Sequence, residues 1–141
     1  MCFFSEKYNP VIKSHYIIVI NTIFFSPYYL YFSAMKWYKL FSSKEEAEEI
    51  IPIGKTEEVI AGHHRICLAH SNEGFFAVKN ECPHAGASLA TGFINTDNEI
   101  ICPWHAYRFN LNNGEEADDY CPSITVHLIE FRNDGMYIGV K

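Results

Sequence analysis

From Met35 onward, apolar and polar residues alternate in short runs separated by turn residues. A period of two places successive side chains on opposite faces of a strand. On that basis strands are predicted over residues 36–41, 57–61, 65–70, 75–79, 99–101, 107–111, 124–131 and 136–140. One segment breaks the rhythm: KEEAEEI, residues 44–50, reads as a short helix closed by Pro52. Ser42 and Ser43, each followed three residues later by Glu45 or Glu46, are capping-box candidates for its start. Ser71-Asn72-Glu73-Gly74 reads as a turn between two strands. Asn112-Asn113-Gly114 and Asn133-Asp134-Gly135 carry left-handed turn chemistry, and the second predicts a hairpin. About eight short strands at this spacing predict an all-β fold, an antiparallel sandwich or barrel with one short helix near its start.

The first 34 residues follow a different pattern, with Glu6, Lys7 and Lys13 as their only charges. The stretch YIIVINTIFFSPYYLYFSA, residues 16–34, has 19 residues, about what a bilayer span requires. Asn21, Thr22, Ser26, Pro27 and Ser33 interrupt it, and the lysines on either side give no clear orientation. Phe32-Ser33-Ala34 is a poor cleavage motif for a secretory signal. Three readings stand side by side: translation starting at Met35, a membrane anchor or export signal, and an ordered extension. MKWYKLFSSKEEAEE reads as the opening of a cytosolic domain. The expected organisation is therefore a hydrophobic leader, 1–34, and one domain, 35–141, in the cytoplasm unless residues 16–34 form a true anchor.

The chain of 141 residues is long enough for one modest core, and 48% apolar and 16% aromatic content exclude a wholly disordered chain. The net charge of −6 argues against binding nucleic acid and suits docking to a basic patch on a protein. Five cysteines, an odd number, argue against a complete disulfide framework.

Two of those cysteines stand close to histidines, in Cys82-Pro83-His84 and Cys102-Pro103-Trp104-His105. Each group offers one thiolate and one imidazole, with 17 residues between the groups. Proline fixes its own φ and restrains the cysteine before it, so each loop is stiffened where it must ligate. Gly86 and Gly92 follow the first group, where the chain must bend tightly. A mononuclear Cys2His2 zinc site is one reading, although usual zinc fingers present both cysteines before both histidines.

C-x-H followed by C-x-x-H, with the runs CPHAGASL and CPWHAYRF, the turn NNGE and the closing hairpin, resembles the Rieske 2Fe–2S family over roughly residues 36–141. The resemblance implies a β-sandwich-like body with two loops clamping one 2Fe–2S cluster at a tip. It implies Cys82 and Cys102 on one iron and His84 and His105 on the other. Two ferric ions, two sulfides, two thiolates and two neutral imidazoles sum to zero charge, so adding an electron is easier than for an all-cysteine cluster. High-potential respiratory members carry a second cysteine in each loop, where this chain has Ala87 and Trp104, so their disulfide cannot form. Those members also place serine and tyrosine hydroxyls against the cluster, where Tyr107 and Phe109 stand here. Fewer hydrogen bonds to sulfur imply a potential near the low end of the family range, about −150 mV.

The chain thus looks like the soluble ferredoxins of ring-hydroxylating oxygenases or the small subunit of nitrite reductase. The implied function is one-electron transfer from a reductase to an oxygenase or reductase, with no substrate chemistry of its own. A permanent subunit of a nitrite reductase-like complex and a membrane-anchored respiratory Rieske protein are the alternatives. A complete Rieske oxygenase needs a further iron domain, and the 36 residues after His105 are too few for one.

The remaining candidates have quieter expectations. Cys67, in an apolar run, is expected as a buried small hydrophobe, and Cys121 as a packing residue beside the cluster. Cys2 has no assigned role. His63 and His64 are expected at a solvated turn, and His15, His70 and His127 in structural roles. Trp104 is expected to shield the cluster or to stack against a partner, with shielding favoured. Glu115, Glu116, Asp118 and Asp119 form either a solvated loop or a docking patch for a basic redox partner.

Overall fold

The continuous apolar run Ile66-Cys67-Leu68-Ala69 is the strand around which the domain is built. The computed structural model describes residues 35–141, and the leader 1–34, with the expectations attached to it, lies outside them. In chain order these residues form β1 (Lys36–Phe41), α1 (Lys44–Ile50), β2 (Lys55–Ala61), β3 (His64–Ser71) and β4 (Gly74–Lys79). A 3-10 turn (Leu89–Thr91) follows, then β5 (Phe93–Ile94), β6 (Glu99–Ile101), β7 (Arg108–Asn110), β8 (Val126–Arg132) and β9 (Gly135–Val140). Six strands form one antiparallel sheet in the order β1-β9-β8-β4-β3-β2, and β5-β6-β7 form a second. The all-β expectation is met. Among the described residues there are nine strands, because the two-residue β5 is too short to show an alternation.

Strand β3 alternates, but between two cores, not between core and water. Ile66 and Leu68 face a core with Ala47, Ile51, Met136 and Ile138. Cys67 and Ala69 face another, with Val78, Leu89, Ile100, Phe109 and Ile124. A strand buried on both faces reads as an unbroken apolar run. The second core also contains Cys82 and Cys102, so the putty of the domain continues directly into its loops.

The helix begins as a capping box. Ser43 Oγ accepts from the Glu46 N–H at 3.1 Å, and the Glu46 carboxylate accepts from the Ser42 N–H at 2.6 Å. Both serines are used: Ser43 is the cap and the Ser42 N–H donates the reciprocal bond. Hairpins join β3 to β4 and β8 to β9, with Ser71 opposite Gly74 and Arg132 opposite Gly135. Asn133 and Asp134 do not adopt the expected left-handed conformation; Gly135 does, with φ +148°. Among the described residues no helix is long and apolar enough to cross a membrane.

Candidate metal centre

Two loops, 82–87 and 102–107, share one hydrogen-bond plan. In the first, the Cys82 N–H donates to the Ala87 carbonyl at 2.9 Å and the Gly86 N–H donates to the Cys82 carbonyl at 2.8 Å. In the second, the Cys102 N–H donates to the Tyr107 carbonyl at 2.8 Å and the Ala106 N–H to the Cys102 carbonyl at 3.1 Å. Each loop closes through a left-handed residue four positions after its cysteine, Gly86 at φ +77° and Ala106 at φ +58°. The glycine was legible in the sequence; the alanine was not, because nothing local marks an alanine as left-handed. A side chain in this region costs about 1–2 kcal/mol. Gly86→Ala is expected to lose about that much stability, and Ala106→Gly to fall between no change and a gain of about 1 kcal/mol in urea unfolding.

The loops bring the four sequence-predicted residues together as two pairs. Cys82 and Cys102 are buried, and their thiols lie within hydrogen-bonding reach of each other. Burial pushes the Cys82 thiol above its ordinary value, while the backbone N–H groups of His84 and Ala85, directed at its sulfur, pull the other way. His84 and His105 are exposed, with ring centroids 4.7 Å apart and planes at 89°. The Tyr107 ring lies against His84 at 4.6 Å. Among the described residues no three His, Cys, Asp or Glu side chains gather around a single ion site. Thiols inside, imidazoles outside and amide donors on one sulfur fit a two-iron group with unlike ends.

Asn80 anchors the first loop, a role the sequence reading missed. Its Oδ1 accepts from Ala90 N–H at 2.8 Å and Ser88 Oγ at 3.1 Å, and its Nδ2 donates to Glu58 at 2.7 Å. Its backbone carbonyl also accepts from the Leu89 N–H. The available signal was a short amide two residues before Cys82, where strand gives way to loop.

Several expectations need correction. Trp104 is 63% exposed, which leaves its ring open to contact with a partner. Glu116 is not part of a solvated run: it is 5% exposed, and its carboxylate accepts from the Tyr120 N–H at 2.7 Å and the Asp118 N–H at 3.3 Å. Asp118 pairs with Arg108 at 3.2 Å, which leaves Glu115 and Asp119 as the outward carboxylates not in ion pairs here. The four-residue docking patch therefore does not exist as such, because one carboxylate is spent folding the loop. Cys121 is half-buried against the core under the loops, and burial raises its thiol. Cys67 is fully buried and its thiol is pushed up to about 12. Alkylation of the folded protein at pH 8 is expected to leave Cys67 unmodified, as peptide mass spectrometry would read. His70, also buried, lies 2.7 Å through Nδ1 from the Ile51 carbonyl and stacks on Phe75, a structural role.

Comparison with known proteins agrees with this geometry. The Rieske 2Fe–2S domain family matches residues 36–136. The ferredoxin component of the alkene monooxygenase system of Xanthobacter autotrophicus is 29% identical over 62 residues, 44% of this chain and 51% of that protein. The chain spans about half the length of the first curated relatives it matches. Among solved structures, a complex of reduced oxygenase and oxidised ferredoxin in carbazole 1,9a-dioxygenase superposes with a TM-score of 0.61 at 25% identity, covering 72% of this chain and 91% of that one. A Mycobacterium tuberculosis protein described as the small subunit of an NADH-dependent nitrite reductase shares the fold, with a TM-score of 0.65 at 18% identity, covering 76% and 96%.

Proposed function

The chain belongs to the Rieske 2Fe–2S family, and from that premise we propose that it is a one-electron carrier whose cluster is held by Cys82, His84, Cys102 and His105. The observation that carries this reading is the pairing of two buried thiols with two exposed imidazoles on matched loops. When bound, a 2Fe–2S cluster supplies reversible one-electron chemistry. The chain's own residues do the rest. The buried cysteines keep their sulfurs out of water, and the exposed imidazoles give an electron a short path to a partner. Tyr107 packs against His84 and limits its rotation.

The partners in this reading are a reductase as donor and an oxygenase or reductase as acceptor. The outward Trp104, next to His105 in the chain, and the 76% exposed Tyr120 offer apolar contact. The same exposure favours a second reading, a subunit held permanently in a nitrite reductase-like complex. Gel filtration of the native protein separates the two: a free monomer supports the carrier, and a large co-purifying partner supports the subunit. Thiolate ligands call for a reducing compartment, so the cytoplasm is the proposed location.

Iron and sulfide analysis with electron paramagnetic resonance of the reduced protein tests the assignment. Equal iron and sulfide with a rhombic signal is expected; a colourless protein holding one zinc would overturn it. Phe109, fully buried, offers no hydroxyl to the centre. The midpoint potential is expected near about −150 mV, and a value above about +100 mV would defeat the low-potential assignment. Phe109→Tyr, if its hydroxyl bonds to the reduced centre with about 1 kcal/mol, raises the potential by roughly 45 mV in a voltammetric titration.

A further inference from the structure

Cys82 and Cys102 are the first residues of the two loops, and both side chains lie inside one apolar core. Ala87, Leu89, Ile100 and Phe109, all buried, belong to the same core. The two thiols are within hydrogen-bonding reach of each other. Cys67 shares this core but projects from β3, and Cys121 packs against it from a half-buried position.

The two backbones are fixed. The Cys82 N–H bonds the Ala87 carbonyl and the Cys102 N–H bonds the Tyr107 carbonyl. The Gly86 and Ala106 N–H groups return to the two cysteine carbonyls. Each cysteine therefore has its backbone polar groups engaged within its own loop, and its side chain can turn without breaking a loop bond. Two thiols already in contact need only approach to the S–S length of about 2.05 Å.

The surroundings select the product of oxidation. A thiol oxidised alone passes through sulfenic to sulfinic and sulfonic acid, and the last two are not reversed by thiols. Those acids are anions at neutral pH, and an anion placed among Leu89, Ile100 and Phe109 is costly to bury. A disulfide is neutral and apolar and takes the space of the two thiols. It also ties residues 82 and 102 across a loop of roughly 20 residues, which narrows the unfolded ensemble and keeps the two loops side by side.

We propose, resting on the assignment of both cysteines as cluster ligands, that a peroxide which strips the cluster leaves Cys82 and Cys102 joined as a disulfide, a reversible cluster-free state of the carrier. The sulfur of one thiolate attacks an oxygen of hydrogen peroxide; the O–O bond breaks, hydroxide leaves and a sulfenic acid forms. The sulfur of the second thiol then displaces that hydroxyl, which departs as water with the thiol proton. Overall, two thiols lose two hydrogens and two electrons, and hydrogen peroxide becomes two molecules of water. A dithiol reductant reverses the oxidation by exchange.

Peptide mapping of the full holoprotein after a few equivalents of hydrogen peroxide tests this. Free thiols are capped with a maleimide in denaturant. Cleavage after glutamate then puts each described cysteine on its own fragment: 59–73 for Cys67, 82–99 for Cys82, 100–115 for Cys102 and 117–130 for Cys121. Loss of the visible absorption is expected, with fragments 82–99 and 100–115 joined and lighter than their sum by two hydrogens. Cys67 is expected to carry maleimide, and Cys121→Ser to give the same joined pair. Dithiothreitol with iron and sulfide is expected to restore the absorption; iron and sulfide alone are not. A Cys102–Cys121 link, sulfinic or sulfonic acid on Cys82 or Cys102, maleimide on both, loss of the joined pair in Cys121→Ser, or recovery without the reductant overturns the proposal. Protein without visible absorption before peroxide overturns the carrier reading along with it. Coloured protein that yields no joined pair overturns the disulfide alone and leaves the carrier assignment intact.

Discussion

Cys82→Ser and Cys102→Ser, each alone, are expected to yield protein without the visible absorption of an iron–sulfur centre and with iron and sulfide near background. In the proposed centre the two thiols form the inner pair, and they are 1% and 2% exposed. Serine is a poor ligand for iron–sulfide at neutral pH, because its hydroxyl stays protonated where a thiol yields thiolate. His84→Ala and His105→Ala are expected to lose the cluster as well, since an exposed imidazole has no neighbouring donor to replace it in either loop. Cys67→Ala is the control. It removes an equally buried cysteine from the same core, so it lowers stability but keeps the colour. Loss of colour in Cys67→Ala together with its retention in Cys82→Ser would reverse the assignment. Absorption, iron and sulfide content of aerobically purified variants decide the matter.

Asn80→Leu is expected to cost about 3–4 kcal/mol in urea unfolding and to slow reconstitution of the cluster. Leucine has nearly the same volume, so the loss is not a cavity. It comes from three broken side-chain bonds at a residue only 2% exposed. The Ala90 N–H and Ser88 hydroxyl lose an acceptor, and Glu58 keeps Arg65 alone. A buried group left without its partner costs about 1–3 kcal/mol, more than the bond itself contributed. The first loop leaves Asn80 within two residues, so the cysteine and histidine it carries lose their common base. Asn80→Asp separates charge from geometry: it can keep both bonds to Oδ1 but sets a carboxylate against Glu58. A change below about 1 kcal/mol in Asn80→Leu would mean that the loop holds itself.

Much of the fold was written in local pattern. The period-two runs located the long strands, the glutamates after Ser42 and Ser43 marked the helix start, and turn residues separated the hairpins. What failed failed for a physical reason. Strand β5 has two residues, and no period is visible in two residues. Asn133 and Asp134 were read by their composition, but the hairpin puts its left-handed conformation on Gly135 alone. Glu116 looked like its acidic neighbours, yet its carboxylate reaches back to the Asp118 and Tyr120 N–H groups. A charge folded inward to satisfy backbone donors cannot be told from a solvated one by residue type.

What this chain's sequence determines by itself is the chemistry on offer: one thiol and one imidazole in each of two proline-stiffened loops, within a run of short strands and an acidic whole. Those features depend on residue type and on spacing over a few positions. Which groups meet was decided by the tertiary structure. The loops stand together because β3 is buried between two cores, and His64 reaches His127 because β4 separates β3 from β8 in one sheet. Such contacts join residues far apart in the chain, and they arise from burying both faces of a sheet at once, a condition no local pattern can express.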